Sequence, residues 1–88
     1  MEIKVLDFTG KWCSTCIVLD KILKSDVIPR YKNKIKFIKV DDINDLTKQY
    51  EVLSIPTLII LKDGKEIWRK SGSIIKEDAI KELDKAIK

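Results

Sequence analysis

The chain has 88 residues, 44% of them hydrophobic and 36% charged, with 3 Gly and 2 Pro; this predicts a single packed α/β domain over residues 1–88 and excludes both a disordered chain and a second catalytic domain. Its formal charge of +4 comes from lysines scattered along the whole length, with Arg30 and Arg69 as the only arginines, so a solvated surface is expected and no nucleic-acid partner. The longest apolar run, 58–61, is too short to span a bilayer and the N-terminal MEIKVLDF lacks the basic-then-apolar pattern of a signal peptide, so no membrane association and a cytoplasmic location are expected.

The stretch from Glu2 to Phe8, EIKVLDF, is rich in β-branched and aromatic residues and is ended by Thr9-Gly10, which reads as a buried strand. It runs directly into GKWCSTC. From Cys16 onward, Ile17, Leu19, Ile22 and Leu23 recur at three- and four-residue offsets and predict an amphipathic helix beginning near Cys13, broken near Ser25-Asp26 and halted by Pro29. Ile35 to Val40 alternates lysine with apolar residues and is the second strand, followed by a helix from about Ile43 to Tyr50 that carries Leu46 and Tyr50. A strand, helix, strand succession implies parallel pairing through a right-handed crossover. Thr57–Leu61 and Glu66–Lys70 flank Lys62-Asp63-Gly64-Lys65, a hairpin whose turn places glycine where positive φ is needed. In the tail from Ile75 to Lys88, Ile75, Ala79, Ile80, Leu83, Ala86 and Ile87 share one stripe, giving a last helix that covers the sheet. The expected order is β-α-β-α-β-β-α, without repeat or linker.

Both cysteines of the chain lie in the C-x-x-C of GKWCSTC. Between a strand and a helix, Cys13 lies at the first helical turn, where unpaired N–H groups and the positive end of the dipole favour a thiolate and lower its pKa from about 8.5 toward about 7 or below. That makes Cys13 the candidate nucleophile. Cys16, three residues on and facing the same side of the helix, would resolve a mixed disulfide. A zinc site needs further thiolate or imidazole ligands, yet the chain has 2 Cys and 0 His, so that reading survives only through dimerisation or carboxylates. Burial of the two cysteines as small hydrophobes fits poorly with their neighbours Gly10, Lys11, Ser14 and Thr15.

Several segments together resemble the thioredoxin family, nearly end to end: Val5-Leu6-Asp7-Phe8, Trp12-Cys13-Ser14-Thr15-Cys16, Lys39, Ser54-Ile55-Pro56-Thr57, Lys62-Asp63-Gly64 and Ser71-Gly72. The resemblance implies a thioredoxin-like fold in its minimal form, because the chain starts at the strand before the motif: a four-stranded mixed sheet in order 2-1-3-4, flanked by three helices, its edge strand guarded by Lys34, Lys36 and Lys39. It implies that Cys13 attacks and Cys16 resolves. Asp7 matches the family's buried acid, which moves protons to and from the resolving thiol; an acid inside an apolar strand has its pKa raised toward neutrality, as that task requires. Lys39 matches the basic residue beside it. Pro56 matches the family's cis-proline opposite the disulfide, and Trp12, Ile55, Pro56 and Gly72 match its flat surface for partner proteins, where the unpaired Ile55 backbone would bond an extended substrate. A partly buried packing residue is the structural reading of Trp12, compatible with a place on that surface.

The sequence departs from the family in three places. Ser14-Thr15 stands where thioredoxins usually have Gly-Pro; Thr15 supplies a backbone N–H and a hydroxyl for the thiolate, so a reduction potential above that of an ordinary thioredoxin is expected. Thr9 replaces the usual aromatic. Trp68, on the hairpin's far strand, is assigned to core packing, with a partner contact as the alternative. The function implied is thiol:disulfide exchange, mainly reduction of protein disulfides, by a monomer without cofactor or metal. A thioredoxin-reductase-like enzyme or glutathione would regenerate it. The alternatives are a glutaredoxin-like enzyme, a donor dedicated to one partner, or a redox-inactive or metal-holding binding module.

Overall fold

The computed structural model describes residues 2–41 and 45–88. Strand β1 (Ile3–Thr9) lies at the centre of the sheet, paired in parallel with β2 (Ile35–Asp41) and antiparallel with β3 (Thr57–Lys62). Strand β4 (Lys65–Ser71) adds antiparallel to β3, so the sheet has the expected order β2-β1-β3-β4.

A central strand covered on both faces is mostly apolar on both, which explains why β1 carries Ile3, Val5, Leu6 and Phe8, with Asp7 as a buried exception. Ile3 and Val5 join Leu58 and Ile60 on the face packed by α1 (Ser14–Ile22) with the residue that follows it, Leu23, and by α3 (Lys76–Ala86), through Leu19, Leu23, Ala79 and Leu83. Leu6 and Phe8 join Val40, Ile59 and Leu61 on the other face, beside Leu46 and Tyr50. Each such side chain fully removed from water contributes about 1.5–3 kcal/mol. Leu46 belongs to the short helix α2 (Asp45–Gln49); the expected start of this helix at Ile43 lies outside the described residues. By strand alternation Asp7 falls on the first face, with Ile3 and Val5, and so points into the layer between sheet and α1.

The turn Asp63-Gly64 has φ of 51° and 85°, the doubly left-handed geometry of a two-residue hairpin loop that matches strand twist. Between Ile60 and Leu61 the β3–β4 register shifts, and Trp68, opposite Ile60, packs partly buried against the α1/α3 core, as its assignment to packing anticipates.

Two expectations need correction. Pro29 does not halt the first helix: α1 widens into a π-helical turn at Leu23–Val27 and then tightens into a 3₁₀ turn, Ile28–Tyr31, with Pro29 in its first turn, where no N–H is required. This carries Tyr31 to the core, where its hydroxyl donates to Asp84 Oδ1 at 2.6 Å and to the Ile80 carbonyl at 3.3 Å, tying the segment to α3. Likewise, Ile75 does not belong to the buried stripe of α3. It is the extended residue before the helix and is 52% exposed, while its neighbour Ile74 turns inward at 6%, because an extended backbone sends successive side chains to opposite sides.

Candidate active site

Strand β1 delivers the chain through Gly10-Lys11-Trp12 to Cys13, which is the N-cap of α1, with φ −111° and ψ 107°, and not a residue of its first turn. An N-cap side chain has an acceptor's task, since the first N–H groups of a helix lack intrahelical partners. Here a sulfur performs it: Cys13 Sγ accepts the Cys16 N–H at 3.2 Å and lies 3.3 Å from the Thr15 hydroxyl. Cys13 and Cys16 are joined as a disulfide, with Cα atoms 5.2 Å apart. The two sulfurs are not equivalent. Cys16 is 3% exposed, at the inner side of α1, whereas Cys13 is only partly covered.

Behind Cys16 lies a cleft of about 550 Å³ lined by Thr9, Lys11, Cys16, Asp20, Lys39 and Asp41, among others. A smaller cavity of about 200 Å³ continues the same wall and is lined by Asp7, Asp20, Phe37 and Lys39. Asp7 and Lys39 are register partners across β1 and β2. Asp7 is 7% exposed, and its carboxyl pKa is pushed up from 3.8 to about 6, chiefly by burial, then by the negative charge of Asp20, against the opposing pull of Lys39. Lys39, however, gives its ammonium to Asp20, at 3.1 Å, and Asp20 also pairs with Lys24 at 3.2 Å. These cations and their hydrogen bonds hold the Asp20 carboxyl below its usual range even though desolvation pushes it the other way. The sequence reading passed over Asp20, yet its signal was present: it follows Cys16 by four residues and therefore shares its helix face.

The Ile55–Pro56 bond is cis. The Gly72 N–H donates to the Pro56 carbonyl at 2.9 Å, from a backbone at φ +84° that suits glycine. The Thr57 hydroxyl donates to the Ser54 carbonyl and meets the Ser71 hydroxyl, both at 2.7 Å, fastening the same loop. Pro56 is buried, whereas Ile55 and Gly72 are partly exposed and Leu53 is 97% exposed. Trp12 is 99% exposed, which overturns its reading as a packing residue. The structure thus gathers Cys13 with Cys16, Asp7 with Lys39, and Pro56 with Gly72, while Trp12 stands in solvent beside the disulfide in sequence. Among the described residues, no cluster of His, Cys, Asp or Glu is arranged to hold a metal ion, and no helix is long and apolar enough to cross a membrane.

Comparison with known proteins agrees with this geometry. The family model described as Thioredoxin matches residues 1–85. A thioredoxin of Staphylococcus epidermidis is 38% identical over 85 residues, covering 94% of this chain and 81% of that protein, and a thioredoxin of Staphylococcus aureus is 36% identical over the same extent. Among solved structures, the germline-specific thioredoxin Deadhead of Drosophila melanogaster superposes with a TM-score of 0.84 at 27% identity, covering 96% of this chain and 80% of that one. The Fasciola hepatica thioredoxin gives 0.85 at 25% identity, covering 97% and 81%. A disulfide-forming C-x-x-C at the head of α1 in this setting is the centre of a thiol:disulfide oxidoreductase, and the chain belongs to the thioredoxin family.

Proposed function

We propose that Cys13 is the attacking and Cys16 the resolving thiol of a protein-disulfide reductase, with Asp7 as the base that takes the Cys16 proton. The observation that carries the assignment is the asymmetry of the pair. Cys13 occupies the N-cap, partly exposed, with the Cys16 N–H and the Thr15 hydroxyl available to its sulfur. Donors of this kind stabilise a thiolate, as does the positive end of the helix dipole. Cys16 is buried beside the cleft that leads toward Asp7.

In the reduced protein, the Cys13 thiolate attacks one sulfur of a substrate disulfide; the Cys13–substrate bond forms, the substrate S–S bond breaks, and the released substrate thiolate takes a proton from solvent. Cys16 then passes its proton to the Asp7 carboxylate and attacks Cys13 Sγ. The Cys13–Cys16 bond forms, the second substrate sulfur departs as a thiolate and is protonated, and two electrons have passed to the substrate. With a pKa of about 6, Asp7 is mostly ionised at pH 7 and can accept a proton, yet is basic enough to do so from a thiol.

Trp12, Ile55, Pro56 and Gly72 form the receiving surface for disulfide-containing proteins, with the buried Pro56 ring fixing the loop's course, and the Ile55 backbone binds an extended segment of the substrate. The protein works as a monomer and a single domain in the cytoplasm, with oxidised protein returned to the dithiol by a thioredoxin-reductase-like enzyme or by glutathione. Insulin-disulfide reduction with the single cysteine variants tests the roles. Cys13→Ser is expected to show no activity above background and to capture nothing, whereas Cys16→Ser is expected to accumulate a mixed disulfide through Cys13, detected by intact mass; capture by Cys13→Ser through Cys16 would reverse the assignment.

A further inference from the structure

Lys39 is the direct neighbour of Asp7 across β1 and β2 and lines the same small cavity, so a pair between them would be the simple expectation for a buried acid beside a lysine. The ammonium goes elsewhere. Its carboxylate partner is Asp20 on α1, at 3.1 Å, and the same Asp20 also binds Lys24 at 3.2 Å. Asp20 is 24% exposed in its side chain and Lys39 55%, so this pair keeps its water, whereas a pair with Asp7 would strip hydration from both charges. Asp20 and Lys39 line both the cleft that holds Cys16 and the cavity that holds Asp7, and therefore stand on the wall between the two.

We propose that Asp20 is a positioning residue for the proton step: by drawing the Lys39 ammonium to the helix side of the cleft, it keeps Asp7 from being locked as an ion-paired carboxylate and leaves it free to exchange a proton with Cys16. The inference rests on the assignment of Asp7 as the base. The charged groups that face Asp7 are Asp20 from α1, Lys24 from the π-helical turn that follows it and Lys39 from β2, the remaining cavity wall being apolar through Leu23, Ile28, Phe37 and Ile38, and Leu58 is its register partner on β3. Burial raises the Asp7 pKa most, Asp20 raises it further and Lys39 lowers it, which agrees with the placement of the three side chains.

The test is the titration of the Asp7 side-chain carboxyl by carbon-detected NMR in oxidised protein, for the wild type, Asp20→Asn, Lys39→Met and the double variant. Asp20→Asn is expected to lower the Asp7 midpoint by about half a pH unit or more, the effect of losing a partly screened like charge and freeing a cation. Lys39→Met is expected to raise it. In the Lys39→Met background, the effect of Asp20→Asn is expected to shrink to less than about half its size, because Asp20 then has no Lys39 ammonium to draw away from Asp7 and keeps only its pair with Lys24. An Asp7 midpoint that does not fall in Asp20→Asn overturns the proposal, as does a fall of equal size with and without Lys39, which would reduce Asp20 to a bare charge. The pH dependence of thiol:disulfide exchange in Asp7→Asn separates the two levels: an unchanged profile removes the role of Asp7 itself, while a changed profile with no Asp20 effect removes only the role of Asp20.

Discussion

Replacing Asp7 with Asn should stabilise the oxidised protein at neutral and alkaline pH while impairing its exchange chemistry. Asp7 is 7% exposed in an apolar layer, and its pKa is raised from 3.8 to about 6. The difference of about 2.2 units, at 1.36 kcal/mol per unit, is about 3 kcal/mol. Since the folded state holds the proton more tightly than the unfolded chain, stability is greatest where Asp7 is protonated in both, falls as pH rises from about 4 to about 6, and carries the full penalty above that. Asn has nearly the same shape and no charge to desolvate. The variant should therefore differ from the wild type by less than about 1 kcal/mol near pH 4 and exceed it by about 3 kcal/mol at pH 8, read from urea denaturation of the oxidised proteins at both pH values. In the same variant the resolving step should slow, because the Cys16 proton has lost its nearby acceptor. A stability difference that is the same at pH 4 and pH 8 would refute the reasoning, since it would mean that Asp7 is not held in a state that resists ionisation.

Three further substitutions probe the surroundings of the site. Thr15→Val removes the hydroxyl 3.3 Å from Cys13 Sγ while keeping the β-branched shape; losing about 1 kcal/mol of thiolate stabilisation should make the potential more negative by about 20 mV, measured against a glutathione couple. Gly72→Ala meets nothing within 4 Å, so its cost comes from the backbone at φ +84° alone; about 1 kcal/mol should be lost, seen as a fall in Tm of about 4–8 °C. Tyr31→Phe deletes the hydroxyl that binds Asp84 and Ile80, whose own pKa is pushed to about 12 by burial and by the Asp84 carboxylate; a loss of about 1–2 kcal/mol is expected in equilibrium denaturation at pH 7.

Much of the fold was legible because its signals are local. The β-branched, largely apolar composition of β1, the Asp63-Gly64 turn and the periodicity of α3 each follow from patterns within a few residues, and the parallel pairing of the first two strands follows from their strand-helix-strand succession, while the sheet order came with the family resemblance. What escaped depends on packing. Pro29 was read as a stop because proline breaks an α-helix, but a π-helical turn before it moves the chain into a geometry where its missing N–H costs nothing. Ile74 and Ile75 are alike in sequence, and only the entry angle of α3 decides which is buried. In the site, the cysteine pair, Asp7 and Lys39 were marked by motif and resemblance. The partner of Lys39 was not, since a lysine on an edge strand can reach several carboxylates and only the tertiary arrangement selects Asp20. Burial of Pro56 a few residues after the exposed Leu53 is likewise a property of the loop's path, invisible in the residues themselves.

The account stands on Cys13 and Cys16 cycling together between dithiol and disulfide. Its most direct test is the equilibrium reduction potential of the pair, titrated against dithiothreitol and glutathione couples with the redox state read by thiol alkylation and mass. A single two-electron transition is expected, with a midpoint above about −270 mV, displaced toward −200 mV by the donors around Cys13. Absence of an intramolecular disulfide at every poise, or two independent one-thiol modifications in place of one transition, would contradict it.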